Sequence, residues 1–136
     1  MDIQLFESAF KQKFSNITAE FSESDDYHPA RIGEVTDIAI MQASPKRILM
    51  SGKFRYLTIV KDANGKKKLE WLPYFDGILE CRLSDKKFYR LENADVPSAY
   101  VSHQIEFNRH KYQNLVNDMF KFFEEYIGEQ KSSDKG

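Results

Sequence analysis

His103, Glu106 and His110 are the nearest approach in this sequence to a metal-ligand cluster. On one continuous helix the two histidines would stand about 10 Å apart along the axis, at 1.5 Å per residue. One zinc, about 2 Å from each ligand nitrogen, cannot bridge that gap. The alternation of Val101, His103, Ile105 and Phe107 also reads as a strand, so the spacing predicts no metal site. Cys81 alternates with Leu79 and Leu83 and is expected in the core; a reactive thiol would need a neighbouring base or cation. Asp25-Asp26 and Glu124-Glu125 are sequence neighbours, which do not face each other as an acid–base pair must. His28 reads as part of the solvated acidic loop around Asp25 and Asp26. No Gly-rich phosphate cradle is present, and no cofactor is expected.

The remaining chemistry is electrostatic. Residues 1–45 carry 3 basic against 8 acidic side chains, residues 46–90 carry 12 against 5, and residues 91–136 carry 5 against 8. A basic middle thus lies between two acidic ends, within a net charge of −1. The middle interleaves its cations with Phe54, Tyr56, Trp71, Tyr74, Phe88 and Tyr89. Cations among aromatics suit either a protein partner or stacked single-stranded bases. They also suit an ordinary amphipathic sheet neutralised by acidic helices. Arg55, Lys66, Lys67, Lys68 and Trp71 are the candidate binding residues. The acidic loop at Asp25 and Asp26 is a second candidate surface.

Two helices and a run of strands must position these groups. Ile3, Phe6, Phe10, Phe14, Ile17 and Phe21 recur at helical spacing, with an end between Ser15 and Phe21. Ser22 to Gly33 is rich in turn formers and reads as a loop. Strands are expected over 35–42, 47–51, 53–61, 67–72, 78–83, 88–91 and 100–107. Gly52 marks a bulge between two of them, Asn64-Gly65 a hairpin turn and Asp76-Gly77 another turn. Pro73 ends its strand or puts it at an edge. Glu92 to Ser98 reads as a loop. Asn108 caps a second helix whose broad apolar face runs from Tyr112 to Ile127, and Gly128 stops it.

The expected fold is therefore α+β: an antiparallel twisted sheet of about six strands with an N-terminal and a long C-terminal helix packed on it. It forms a single domain over residues 1–128, followed by a disordered polar tail over 129–136. Met1 to Glu7 has no basic, apolar leader, no apolar run is long enough to span a membrane, and one cysteine permits no internal disulfide. These features predict a cytoplasmic location, and Asn16-Ile17-Thr18 then carries no glycan. Phe122 lies off the main helical stripe, which admits a homodimer through the C-terminal helix or a contact with the first helix.

The strand and helix of residues 99–127 resemble the corresponding part of type III secretion chaperones. Small immunity proteins and phage-encoded inhibitors are similar in size and make-up. With no poised nucleophile, ligand cluster or phosphate loop, and with charge partitioned along the chain, the expected function is a non-enzymatic protein-interaction module of adaptor, inhibitor, immunity or chaperone type. A nucleic-acid-binding module on the basic strands of residues 46–90 is the alternative. A ligand-binding or enzymatic cavity between helix and sheet, lined by Tyr100, His103 and Glu106, is a third reading.

Overall fold

The computed structural model describes residues 3–14, 16–25, 28–92 and 101–134. Helix α1 (Ile3–Phe14) is followed by strands β1 (Ala19–Asp25), β2 (His28–Ala43), β3 (Arg47–Lys61), β4 (Lys67–Trp71), β5 (Phe75–Arg82), β6 (Lys87–Glu92) and β7 (Val101–Phe107), then by helix α2 (Arg109–Asp134). Every strand pairing is antiparallel. The order runs β2-β1-β7-β6-β5-β3, and β3 pairs again with β2. Six strands thus close into a barrel. This corrects the expectation of an open sheet with a helix on its face.

Closure rests on segments that local pattern hides. The expected loop from Ser22 to Gly33 is mostly strand: β1 runs to Asp25, β2 starts at His28, and Phe21 pairs with Gly33. Gly33 is needed there, because a Cβ would lie 2.6 Å from the Phe21 ring. The 16-residue β2 pairs with β1 along its first half and with β3 along its second. The two pairings overlap at residues 33–35, and a bulge between Thr36 and Ala39, with Asp37 at φ +53°, bends β2 within its pairing to β3. Gly52 interrupts nothing in β3, and Gly77 lies inside β5 rather than in a turn; the two are direct partners. Phe54 explains the second, since its ring fills the space that a Cβ on Gly77 would occupy. Residues 93–100, which hold most of the loop expected after Glu92, lie outside the described residues.

Alternate residues fill the barrel, as the two-residue period of strands requires. Val35, Ile48, Met50, Phe54, Leu79 and Cys81 are completely buried. The helices cover one end of the barrel, against the turn at 44–46 and the ends of β5 and β7. α1 ends at Phe14, and Phe21 belongs to β1. Asn108 accepts the first hydrogen bonds of α2, as an N-cap should. α2 passes through Gly128 rather than stopping there. Phe6 stacks on Tyr126 at 3.9 Å and on Phe122 at 5.3 Å, and Phe14 meets Phe122 edge-on. Phe122, the residue that admitted a homodimer through this helix, therefore packs against α1. Where Leu115, Val116 and Met119 of α2 meet Ala19, Ile38 and Phe107 of the barrel, the void is about 10 Å³, room for one water at most. No helix among the described residues is long and apolar enough to cross a membrane.

Gly77→Ala is expected to lower the unfolding free energy by about 1–3 kcal/mol, because Phe54 cannot move aside in a filled barrel. Gly128→Ala, with open space around its Cβ, is expected to raise it by about 0.5–1 kcal/mol. Urea denaturation of both variants checks the pair, and an unchanged midpoint for Gly77→Ala would remove the packing argument.

Candidate functional site

Arg55 and Trp71 are brought together; the three lysines stand apart from them. Beyond Tyr56, β3 leaves the barrel and pairs only with β4 among the described residues. The two form a projecting arm, Leu57–Lys61 against Lys67–Trp71. Its tip is built by Asp62. The Asp62 carboxylate accepts hydrogen bonds from the backbone N–H groups of Asn64 at 2.8 Å and Lys66 at 2.9 Å. Gly65 alone supplies the positive φ, +78°, so the turn differs from the two-residue Asn-Gly form in which both residues would have it.

Side chains alternate along the arm. One face carries Leu57, Ile59 and Lys61 opposite Trp71, Leu69 and Lys67. Lys66 and Lys68 point to the other face. Ile59 and Leu69 are direct cross-strand partners and are 62% and 65% exposed. At the root of this face the Arg55 guanidinium lies between two rings, 4.7 Å from Trp71 and 4.5 Å from Tyr74. Arg55 Nε and the Tyr74 hydroxyl both donate to the Glu34 carboxylate. That hydrogen bond raises the Tyr74 phenol above its ordinary value. Arg55 is therefore neutralised and stacked rather than free to meet a partner's charge. Sequence reasoning missed Ile59, Leu69 and Glu34, and noted Tyr74 only among the interleaved aromatics. Pro73 was the available signal for the first two, because it marks β4 as an edge strand with nothing beyond it to cover its neighbours.

The other cations of the middle are mostly paired too. Arg47 and Arg82 share Glu80, at 3.0 and 2.7 Å, beside an open groove of about 930 Å³ between the 44–46 turn and α2. Lys53 meets Asp76, and Lys86 meets Glu124 of α2. Among the described residues no ion pair forms at Lys61, Lys66, Lys67 or Lys68. Four cations without an ion pair thus lie on the arm, beside Asp62 and Glu70.

A second constellation fills the barrel mouth opposite the helices. Glu23 and Arg90, 3% and 5% exposed, form an ion pair. Arg90 Nε donates to Glu23 Oε1 at 2.7 Å, and its Nη2 donates to Glu92 at 2.8 Å. The Tyr56 hydroxyl donates to Glu23 at 2.7 Å, and His103 Nε2 lies 3.1 Å from Glu92. Burial, then the bond to Glu23, pushes the Tyr56 phenol far above its ordinary value. Burial alone would lower the Arg90 guanidinium, but its bonds to Glu23 and Glu92 outweigh that and hold it charged. Glu23, Arg90, Tyr56 and Glu92 satisfy one another and tie β1, β3 and β6 together, whereas the buried His103 Nε2 of β7 faces Glu92 without a well-formed hydrogen bond. Burial also pushes the Cys81 thiol far up, which suits a core residue and not a nucleophile. Tyr100, the third residue of the expected polar lining, lies outside the described residues, as does Asp26 of the acidic loop.

Arg90→Met is expected to cost about 3–5 kcal/mol, because Glu23 is left in the interior without its cation. Glu23→Gln/Arg90→Met should recover much of the loss, since it removes the unpaired carboxyl and leaves Tyr56 an acceptor. Equal losses in the single and double variants, by urea denaturation, would contradict this account. The Arg90 hydrogen bond, opposed by burial and aided by His103, holds the Glu92 carboxyl below its ordinary 4.5. Its contribution is present above pH 4.5 and is lost as pH falls through the lower folded value. Glu92→Gln is expected to flatten the acid limb of the stability profile; a parallel profile would contradict this. In comparisons with known proteins, no family model matches the chain, and no curated protein or solved structure matches it either.

Proposed function

We propose that the chain is a non-enzymatic protein-interaction module, cytoplasmic, whose contact surface is the β3–β4 arm. One observation carries the reading: the Ile59–Leu69 pair is exposed on both strands of an arm that stands outside the barrel. These side chains add nothing to the barrel core, and adjoining exposed apolar residues usually mark a place of association. Leu57 and Trp71 extend the apolar face, and Lys61 and Lys67 border it. A polar rim around an apolar centre is the usual anatomy of a protein contact. The unpaired lysines would speed encounter with an acidic partner. They would also serve a nucleic acid, but the aromatic faces that could stack on bases are partly taken: Arg55 lies over both Trp71 and Tyr74. A protein partner is therefore favoured.

Ile59→Thr/Leu69→Thr is expected to keep the stability of the barrel within about 0.5 kcal/mol and to abolish partner recovery. Wild-type and variant baits would be compared in nuclease-treated and untreated lysate. Proteins held by the wild type through nuclease treatment and lost by the variant are the expected result. Identical recovery by both baits would discard the arm as the contact surface. Recovery abolished by nuclease would replace the protein partner with a nucleic acid.

A further inference from the structure

The open side of β4 has a property that the apolar face does not share: it is complementary to itself. Asp62 N–H donates to the Lys66 carbonyl and Leu72 N–H donates to the Tyr56 carbonyl, both across the arm. Alternation along an antiparallel ladder then fixes the direction of every backbone group between them. Lys66, Lys68, Glu70 and Leu72 turn their N–H and C=O groups toward β3. Lys67, Leu69 and Trp71 turn theirs away, toward an edge that no described strand occupies. Pro73, which has no N–H, closes this edge immediately after Leu72.

An antiparallel strand laid on that edge with a two-fold axis at Leu69 meets the order Lys67-Lys68-Leu69-Glu70-Trp71 in reverse. Leu69 faces Leu69, Lys68 faces Glu70, and Lys67 faces Trp71. No like charges oppose one another, two opposite-charge pairs form, and each Lys67 lies beside an indole. The axis also falls on a residue whose N–H and C=O both point outward, as a hydrogen-bonded pair requires. Lys67, Leu69 and Trp71 of each copy then supply about six backbone hydrogen bonds across the axis. A shift of one residue would place Lys68 against Leu69 and turn inward-pointing groups to the seam.

We propose that the occupant of the β4 edge is a second copy of this chain, paired antiparallel about Leu69, so that two arms form one four-stranded ribbon. This deepens the reading of the arm as a contact surface and rests on it. The ribbon aligns Ile59, Leu69 and their symmetry mates across its four strands, and so doubles the apolar face that each copy offers alone. A five-residue edge is smaller than a standard stable interface. The dimer is therefore reversible, with a dissociation constant on the order of tens to hundreds of micromolar.

Sedimentation equilibrium from about 10 μM to 1 mM tests the pairing. Lys68→Glu puts two carboxylates opposite each other at both ends of the ladder, and Glu70→Lys does the same with two ammonium groups. Each is expected to raise the dissociation constant by about tenfold or more, and Lys68→Glu/Glu70→Lys to return it to within about threefold of wild type. Within one copy these residues oppose only Val60 and Thr58, so thermal unfolding should not distinguish the variants. Leu69→Pro, which removes an outward N–H and no bond to β3, should also abolish association. Three results would overturn the proposal: a monomer throughout, a dimer indifferent to either single reversal, or a double variant no better than the singles. A monomer that still recovers its partner through Ile59 and Leu69 would reject the second copy and leave the arm's proposed function standing.

Discussion

A sheet becomes a barrel only if its first and last strands have chain left over to pair with each other, and β2 and β3 have it. At 16 and 15 residues, each is long enough to change partners along its length. β2 pairs with β1 up to Val35 and with β3 from Gly33 onward, so that residues 33–35 are bonded on both edges. β3 holds β2 and β5 inside the barrel and β4 beyond it. The interior follows from this double use. With both edges of the sheet consumed, inward-pointing residues meet across a closed tube, and Gly33, Gly52 and Gly77 yield their side-chain volume to Phe21, Val35 and Phe54. The arm follows too, as the length of β3 that remains after closure.

Closure also explains where the charges go. The acidic N-terminal segment and the basic middle are far apart in sequence but adjacent in the barrel, because β1 and β2 close the ring beside β7 and β3. Neutralisation is mostly strand to strand: Glu34 takes Arg55, Glu23 takes Arg90 and Glu80 takes Arg47 and Arg82. Helix α2 contributes Glu124. The pair buried in the barrel mouth is costly to break and gives little net stability while intact. Its geometric effect is clearer, since a single guanidinium binds carboxylates from β1 and β6.

Short-range features were legible in the sequence. The Phe6, Phe10 and Phe14 stripe, the Asn108 cap, the alternation that buries Cys81, and the hairpin at residues 62–65 each depend on a few neighbouring residues. What escaped depends on residues far apart. Ser22 to Gly33 has turn-forming composition, yet Phe21 needs the bare backbone of Gly33 across the ladder, and that requirement has no local mark. Gly77 follows Asp76 and looks like a turn until the Phe54 ring is placed over it. Closure itself involves β2 meeting β3 through residues of ordinary strand composition, so an open sheet satisfies the same pattern. At the candidate site the sequence drew attention to Arg55, which Glu34 and two rings engage, and passed over Ile59 and Leu69, whose exposure follows from β4 having one neighbour.

The stacking of Phe6, Phe10 and Phe14 on Phe122, Phe123 and Tyr126 joins the earliest and latest helices of the chain. During synthesis α1 leaves the ribosome more than a hundred residues ahead of its partner. At 5–20 residues per second the interval is about 5–20 s. For that time three phenylalanines have no native surface to cover them, and the barrel end they will cap is itself incomplete until β7 arrives. Emergence of α2 is therefore the event that covers the phenylalanines of α1.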